Sequence, residues 1–310
     1  MTRKTITENK NMSKYLVIGG AGFIGSNLVD ALLEKGEDVT TIDNFSTGKR
    51  ENINPKAKLF EADLKDLEKI KPIFEGIDYV FHLAAVPRVM LSINNPISSH
   101  QNNLTNTLNV LVASRDAKVK KLVYASSASV YGNQSELPVR ESMRPNPLNP
   151  YAVQKYGGEL YCKIFSRIYN LPTVCLRYFN VFGPRQSFEG DYACAIGIFL
   201  RQKKENKPLT IVGDGEQKRD FSYVKDVVRA TILAAKKDVG GGEVINVAAG
   251  CNYSLNELTE IIGGKTVNIP PRPGEIKESL GGILKAKKLL GWEPEYNLKT
   301  GLEEMMKNYG

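Results

Sequence analysis

The stretch "VIGGAGFIGSNL", residues 17–28, constrains the fold more than any other part of the chain. Gly19, Gly22 and Gly25 recur at every third position between an apolar run and an amphipathic one. A chain that leaves a strand and enters a helix within so few residues needs backbone freedom. Glycines at that turn also let the backbone approach a pyrophosphate at the helix N-terminus. Alone, the triplet fits any glycine turn; a strand before it and a helix after it are the context that a dinucleotide site requires. The pattern continues along the chain. "KYLVIGG", "DVTTIDN", "AKLFEAD", "YVFHLAA", "KLVYASS", "TVCLRYF" and "EVINVAA" read as seven buried strands. Between them, "GSNLVDALLEKG", "NLTNTLNVLVASRDA" and "YAVQKYGGELYCKIFSRIY" repeat apolar residues at spacings of three and four, which predicts helices. Such alternation implies right-handed crossovers and an α/β fold built on a doubly wound parallel sheet of about seven strands.

At 310 residues and 42% hydrophobic, the chain can bury a full core. It has no apolar run long enough to span a bilayer and no apolar h-region near its start, so a cytoplasmic location without membrane contact is expected. Residues 1–12 are polar and aperiodic and predict a disordered tail. The net charge of +8 leaves nucleic acid open as a partner. The basic residues are scattered, however, or sit in pairs such as Lys120-Lys121 and Lys203-Lys204 that suit solvated helix faces. They form no stripe interleaved with aromatics, so nucleic acid is not expected. Cys162, Cys175, Cys194 and Cys251 lie far apart and away from His82 and His100. Neither a disulfide framework nor a metal site is predicted, and the thiols read as ordinary buried or half-buried residues.

Asp43 ends the second strand, where a carboxylate would accept hydrogen bonds from an adenosine ribose and repel a 2′-phosphate; this favours NAD over NADP. Lys49 and Arg50 keep NADP open. Asp63 and Leu64 after the third strand would put a polar group by the adenine, and Ala84 and Ala85 after the fourth would lay small side chains along the cofactor. Tyr151 and Lys155, four residues apart at a helix start, share one side of that helix. A phenol ordinarily ionises near ~10, too high for a base at neutral pH. The Lys155 ammonium and a nicotinamide cation would lower that value, and Ser127 at the end of the fifth strand would hold the substrate hydroxyl. A surface Tyr and Lys pair is the plain alternative.

From about Lys14 onward the chain resembles the extended short-chain dehydrogenase/reductases, and within them the nucleotide-sugar 4-epimerases related to UDP-galactose and UDP-N-acetylglucosamine 4-epimerases. "GGAGFIGSNL", "HLAA", "SSASVYG", "NPYAVQK", "LRYFNVFGPRQ", "GDGEQKRDFSYVKDV", "PRPGE" and "KKLLGW" carry the resemblance, in family order. It implies a Rossmann domain at 13–182 plus 221–249, a smaller substrate-binding lobe at 183–220 plus 250–310, and tightly held NAD. Tyr151 would be the base, with Lys155 on the nicotinamide ribose and Ser127 assisting. Phe23, Ile24, Asn44 and Tyr178 would join the cofactor set. Ser129, Asn180, Arg219 and Arg272 would contact the sugar nucleotide, the two arginines at its diphosphate.

Family dehydratases and decarboxylases carry acidic residues before the "VYG" tyrosine. Here that stretch is Ser127-Ala128-Ser129-Val130, which favours simple epimerisation. Ser279 aligns where members restricted to UDP-glucose and UDP-galactose carry a bulky tyrosine, which implies room for an N-acetyl group. The expected activity is therefore interconversion of UDP-N-acetylglucosamine and UDP-N-acetylgalactosamine, with UDP-glucose and UDP-galactose as further substrates. A uronate epimerase, dehydratase or reductase of the same fold is the second reading, and a non-catalytic NAD-binding protein the third. Leu104, Leu108, Leu111, Leu160, Ile164 and Ile168 leave apolar faces on two helices that would pair across a homodimer.

Overall fold

The computed structural model describes residues 12–188, 194–271 and 276–307. The expected tail at 1–12 lies outside them except for Met12, and so does Arg272. The seven runs read as strands form one parallel sheet: Lys14–Ile18, Asp38–Asp43, Lys58–Glu61, Tyr79–His82, Lys121–Ser127, Thr173–Tyr178 and Glu243–Val247. Its spatial order is seventh, sixth, fifth, fourth, first, second, third. The chain therefore winds outward in both directions from the junction of the first and fourth strands, where the carboxyl ends splay to leave a crevice.

Strand alternation sends successive side chains to opposite faces, and each face has its own core. Tyr15, Val17, Val123 and Leu176 pack on one side beneath the helices Phe23–Glu34 and Val224–Lys236. Leu16, Ile18, Leu122 and Cys175 pack on the other, beneath Asn106–Asp116 and Pro150–Ile168. With both faces covered, every central strand reads as an unbroken apolar run, which is why the sequence exposes them so clearly.

After residue 180, apart from the seventh strand, the pairings are short and separate from the main sheet. Val181–Phe182 pairs with Ser222–Tyr223, Lys218–Asp220 with Asn252–Ser254, and Leu209–Val212 with Thr266–Ile269. The helix Leu255–Ile262 opens with a reciprocal cap between Ser254 and Glu257. Trp292 is fully buried and donates its indole N–H to the Asp226 carbonyl, tying this region onto the sheet's flanking helix.

Three readings of side chains change. Lys121 is buried in its strand rather than solvated, donating to the Ala234 and Lys237 carbonyls at a helix end. Leu111 faces the chain's own core, so it is unavailable to a partner. Cys194 is exposed, whereas Cys162 and Cys175 are buried and Cys251 half-buried as expected. No helix among the described residues is long and apolar enough to cross a membrane, and they contain no cluster suited to a metal ion.

Candidate active site

The crevice at the sheet's carboxyl edge opens into a cleft of about 580 Å³, within the ~300–1,000 Å³ usual for small-molecule sites. The glycine turn forms one wall. Gly19 has φ +88°, and a Cβ there would lie 2.8 Å from the Ala84 nitrogen, so neither the turn nor its contact with the fourth strand tolerates a side chain. A Cβ on Gly25 would lie 2.0 Å from the Gly19 oxygen, so its absence lets the helix sit down on the strand. Gly22 opens that helix without any capping side chain, leaving its first amides and positive dipole end facing the cleft beside Phe23 and Ile24. Gly25→Ala should therefore lift the helix and weaken NAD binding by at least about tenfold, measured by titration alongside thermal unfolding.

Asp43 is buried, and its two carboxylate oxygens accept from the Ala21 and Phe45 amides at 2.9 and 2.8 Å. Each oxygen keeps a lone pair, and together they face the same wall as Asn44. Arg50, one of the cations that kept NADP open, instead pairs with Glu61 and lies over the Phe45 ring. Leu64, Ala84 and Ala85 line the cleft, whereas Asp63 does not. Its carboxylate accepts from the Lys65 amide in a local turn, the usual fate of an Asp two residues before a free N–H. The glycine cradle, the uncapped helix start and the anchored Asp43 fit a dinucleotide such as NAD.

Opposite this wall stands the helix Pro150–Ile168. Asn149 caps it by accepting from the Ala152 amide at 3.0 Å, and Pro150 takes the first helical position, so "NPY" is a helix start that fixes Tyr151 in the first turn. Lys155 Nζ donates to the Ala125 carbonyl at 2.7 Å and lies 5.9 Å from the Tyr151 ring centre and 5.0 Å from that of Tyr124. Ser127 Oγ accepts from both the amide and the hydroxyl of Ser129, at 3.2 and 2.9 Å. With its lone pairs so engaged, its own proton is directed to Tyr151, where a Ser127 hydrogen bond favours the phenolate.

Burial pushes the Tyr151 phenol up to about 12, and the Ser127 hydrogen bond opposes this. Burial likewise brings Lys155 down to about 8. Without the cofactor's positive charge, burial sets the Tyr151 value. Both groups are withdrawn from water, and the ammonium spends its hydrogen bond on Ala125 rather than on the phenol.

Asn180 donates to the Asp220 carbonyl at 3.0 Å, beside Arg219. Ser279 lines the same cleft, and its amide donates to the Lys218 carbonyl at 3.0 Å. Tyr178 lines the floor with its hydroxyl turned away to Thr231, 2.8 Å distant. Arg88, Asn106, Ser126, Arg185 and Gln186 also line the cleft. The sequence reading did not select them, because single polar residues carry no spacing signal. Among the described residues lining the cleft, Asp43 is the only carboxylate, against Lys49, Arg88, Lys155, Arg185 and Arg219.

Residues 15–248 match the NAD dependent epimerase/dehydratase family. A UDP-glucuronate 4-epimerase of Thermodesulfobacterium geofontis is 38% identical over 316 residues, spanning 94% of this chain and 94% of its own. The structure of UDP-glucose 4-epimerase from Thermotoga maritima with UDP-glucose is similar at TM-score 0.92 and 40% identity, covering 96% of this chain and 98% of that one. UDP-N-acetylglucosamine 4-epimerase from Methanobrevibacter ruminantium, in complex with UDP-N-acetylmuramic acid, gives TM-score 0.92 and 39% identity at coverages of 96% and 98%. The chain belongs to the NAD dependent epimerase/dehydratase family, among the nucleotide-sugar 4-epimerases of the extended short-chain dehydrogenase/reductases.

Proposed function

We propose that this protein interconverts UDP-N-acetylglucosamine and UDP-N-acetylgalactosamine, and also UDP-glucose and UDP-galactose, by inverting C4. The observation that carries the reading is the polarity of the cleft. Its only carboxylate among the described residues, Asp43, sits at the glycine-turn wall, far in role from Ser127 and Tyr151. Elimination of water or loss of a carboxyl group needs a second acid or base beside the reacting carbons, and among the described residues nothing there supplies one. NAD, when bound, takes up hydride from C4 and gives it back.

Tyr151 removes the 4-hydroxyl proton and later restores it; Ser127 orients that hydroxyl; Lys155 holds the nicotinamide ribose and keeps positive charge beside the phenolate. Gly19, Gly22, Phe23, Ile24, Gly25, Asp43, Asn44, Leu64, Ala84, Ala85 and Tyr178 form the cofactor wall in this reading. Ser129, Asn180, Arg219 and Ser279 face the sugar nucleotide, with guanidinium suited to its diphosphate. Residues 13–182 with 221–249 would hold the cofactor, and 183–220 with 250–310 the substrate. The 38% identity to a UDP-glucuronate 4-epimerase keeps a uronate as the second candidate sugar.

Ser279 supports the N-acetyl substrates. Its small side chain lines the cleft, so Ser279→Tyr would fill space that an acetamido group needs. Overpacking costs ~1–3 kcal/mol. We expect kcat/KM for the N-acetylated pair to fall at least about tenfold further than for UDP-glucose and UDP-galactose. Incubation with a panel of UDP-sugars, followed by NMR of the products, tests the assignment. Turnover of UDP-glucuronate alone would replace the sugar and leave the chemistry intact.

A cytoplasmic homodimer is the proposed form. Val153, Leu160, Ile164 and Ile168 are exposed along one side of Pro150–Ile168, at 53, 46, 44 and 63%, an apolar stripe that a second copy of the same helix would cover. Leu104 packs against Gly157 at the edge of that stripe. Sedimentation at micromolar concentration should give a dimer, and Ile164→Glu should shift it to monomer.

A further inference from the structure

We propose that Glu159 is a positioning residue for the active site, coupling the helix that bears Tyr151 and Lys155 to the strand that ends in Ser127. The inference rests on the catalytic reading of those three residues. Glu159 lies one helical turn beyond Lys155 and is only 3% exposed. Its carboxylate is fully engaged. Arg177 binds it bidentately, Nε to Oε1 at 2.8 Å and Nη2 to Oε2 at 2.7 Å, while Ser126 Oγ donates to Oε1 at 2.6 Å.

The sheet register explains how one side chain reaches both partners. Ser126 and Arg177 are direct cross-strand neighbours on the fifth and sixth strands, both facing the helix. The next pair along, Ser127 and Tyr178, points to the other face and lines the cleft. A single carboxylate therefore pins two strand ends against the helix, one residue before Ser127 and Tyr178.

The same buried chain continues outward. The Arg177 guanidinium lies 4.4 Å from the Tyr131 ring centre, and the Tyr131 hydroxyl donates to Asn246 Oδ1 at 2.7 Å. Asn246 Nδ2 then donates to the Val139 and Gly282 carbonyls at 3.1 and 3.2 Å, three residues from Ser279. Fold stability alone does not call for such an arrangement, because apolar residues of similar volume commonly serve a core equally well. Its geometry instead fixes the distance between Ser127, Tyr151 and Lys155. Glu159 also contributes charge. The groups around the Lys155 amine are His82, Tyr124, Tyr151, Cys162 and Glu159; burial lowers the lysine's pKa, and Cys162 and then Glu159 oppose that fall.

Four variants test the assignment side by side: Tyr151→Phe, Ser126→Ala, Glu159→Gln and the double replacement Glu159→Leu with Arg177→Met. Ser126→Ala keeps the ion pair and deletes only its link to the catalytic strand. We expect it to unfold near the wild-type temperature and to lose about three- to tenfold in kcat with little change in KM. The double variant should fold and bind NAD yet lose at least about tenfold in kcat. Glu159→Gln should move the alkaline limb of the pH profile to lower pH, because Lys155 gives up its proton more readily. Wild-type kcat in Ser126→Ala and in the folded double variant, with Tyr151→Phe inactive, would overturn the positioning role alone; should the double variant not fold, Ser126→Ala decides. Near-normal turnover by Tyr151→Phe would instead overturn the catalytic reading, and the positioning role with it.

Discussion

Tyr151→Phe is expected to leave NAD and UDP-sugar bound while removing most turnover, a loss of ~10²–10⁴-fold in kcat with KM little changed. The ring is buried and the helix start around it is fixed by Asn149 and Pro150, so loss of one oxygen leaves the wall in place. What disappears is the atom that Ser127 addresses and that exchanges a proton with the sugar. A phenol pushed up to about 12 is almost wholly protonated at neutral pH, so the site works only if positive charge arrives with the cofactor and Lys155 stays protonated. Steady-state kinetics together with NAD titration of the variant check this, and near-normal kcat would send the search to another base.

The second large effect concerns that lysine. Lys155→Met should lower kcat by ~10²-fold or more at pH 7 and move the acid limb of the profile to higher pH, since the phenolate loses its nearest cation. Stability should respond in the opposite sense. Burial brings the Lys155 amine from its ordinary 10.5 down to about 8. Between those values the unfolded chain binds the extra proton, so wild-type stability rises as pH climbs from about 8 toward 10.5 and carries the full penalty below 8. The methionine variant lacks that penalty, so its melting temperature should vary less with pH over this window. Thermal unfolding from pH 7 to 10.5 checks the sign. A variant whose melting temperature tracks the wild type across the range would contradict a depressed amine.

All seven sheet strands were legible because parallel strands covered on both faces are continuous apolar runs. The glycine turn was legible because Gly19 and Gly25 answer to sterics that no other residue meets. The short pairings outside the main sheet were not. Strands of two to four residues, such as Val181–Phe182 and Lys218–Asp220, are too short to show a period, and their partners are set by tertiary contact. The π-helical turn Gln101–Thr105, overlapping the start of a predicted helix, was equally hidden. Its cause is visible only in three dimensions, where Asn103 spends its side chain on the Val86 backbone and Gln154.

At the site, Tyr151, Lys155, Ser127 and Asp43 followed from spacing and chemistry together, and the cleft gathers them. Asp63 also serves a local turn, as a carboxylate after a strand commonly does. Glu159 and Arg177, eighteen residues apart, carry no spacing signal in the sequence. Only the register of Ser126 opposite Arg177 brings them together. The burial that raises the Tyr151 phenol in the protein without cofactor is likewise a property that sequence does not quantify.

The most direct measurement is conversion of UDP-N-acetylglucosamine by the purified protein in D₂O, without added reductant, followed by NMR and mass spectrometry. Hydrogen taken from C4 and returned there within a closed cleft does not exchange with solvent. The expected product is UDP-N-acetylgalactosamine of unchanged mass, with protium retained at C4. A product that has lost water or carbon dioxide, deuterium at any sugar carbon, or no reaction with this substrate would contradict the account.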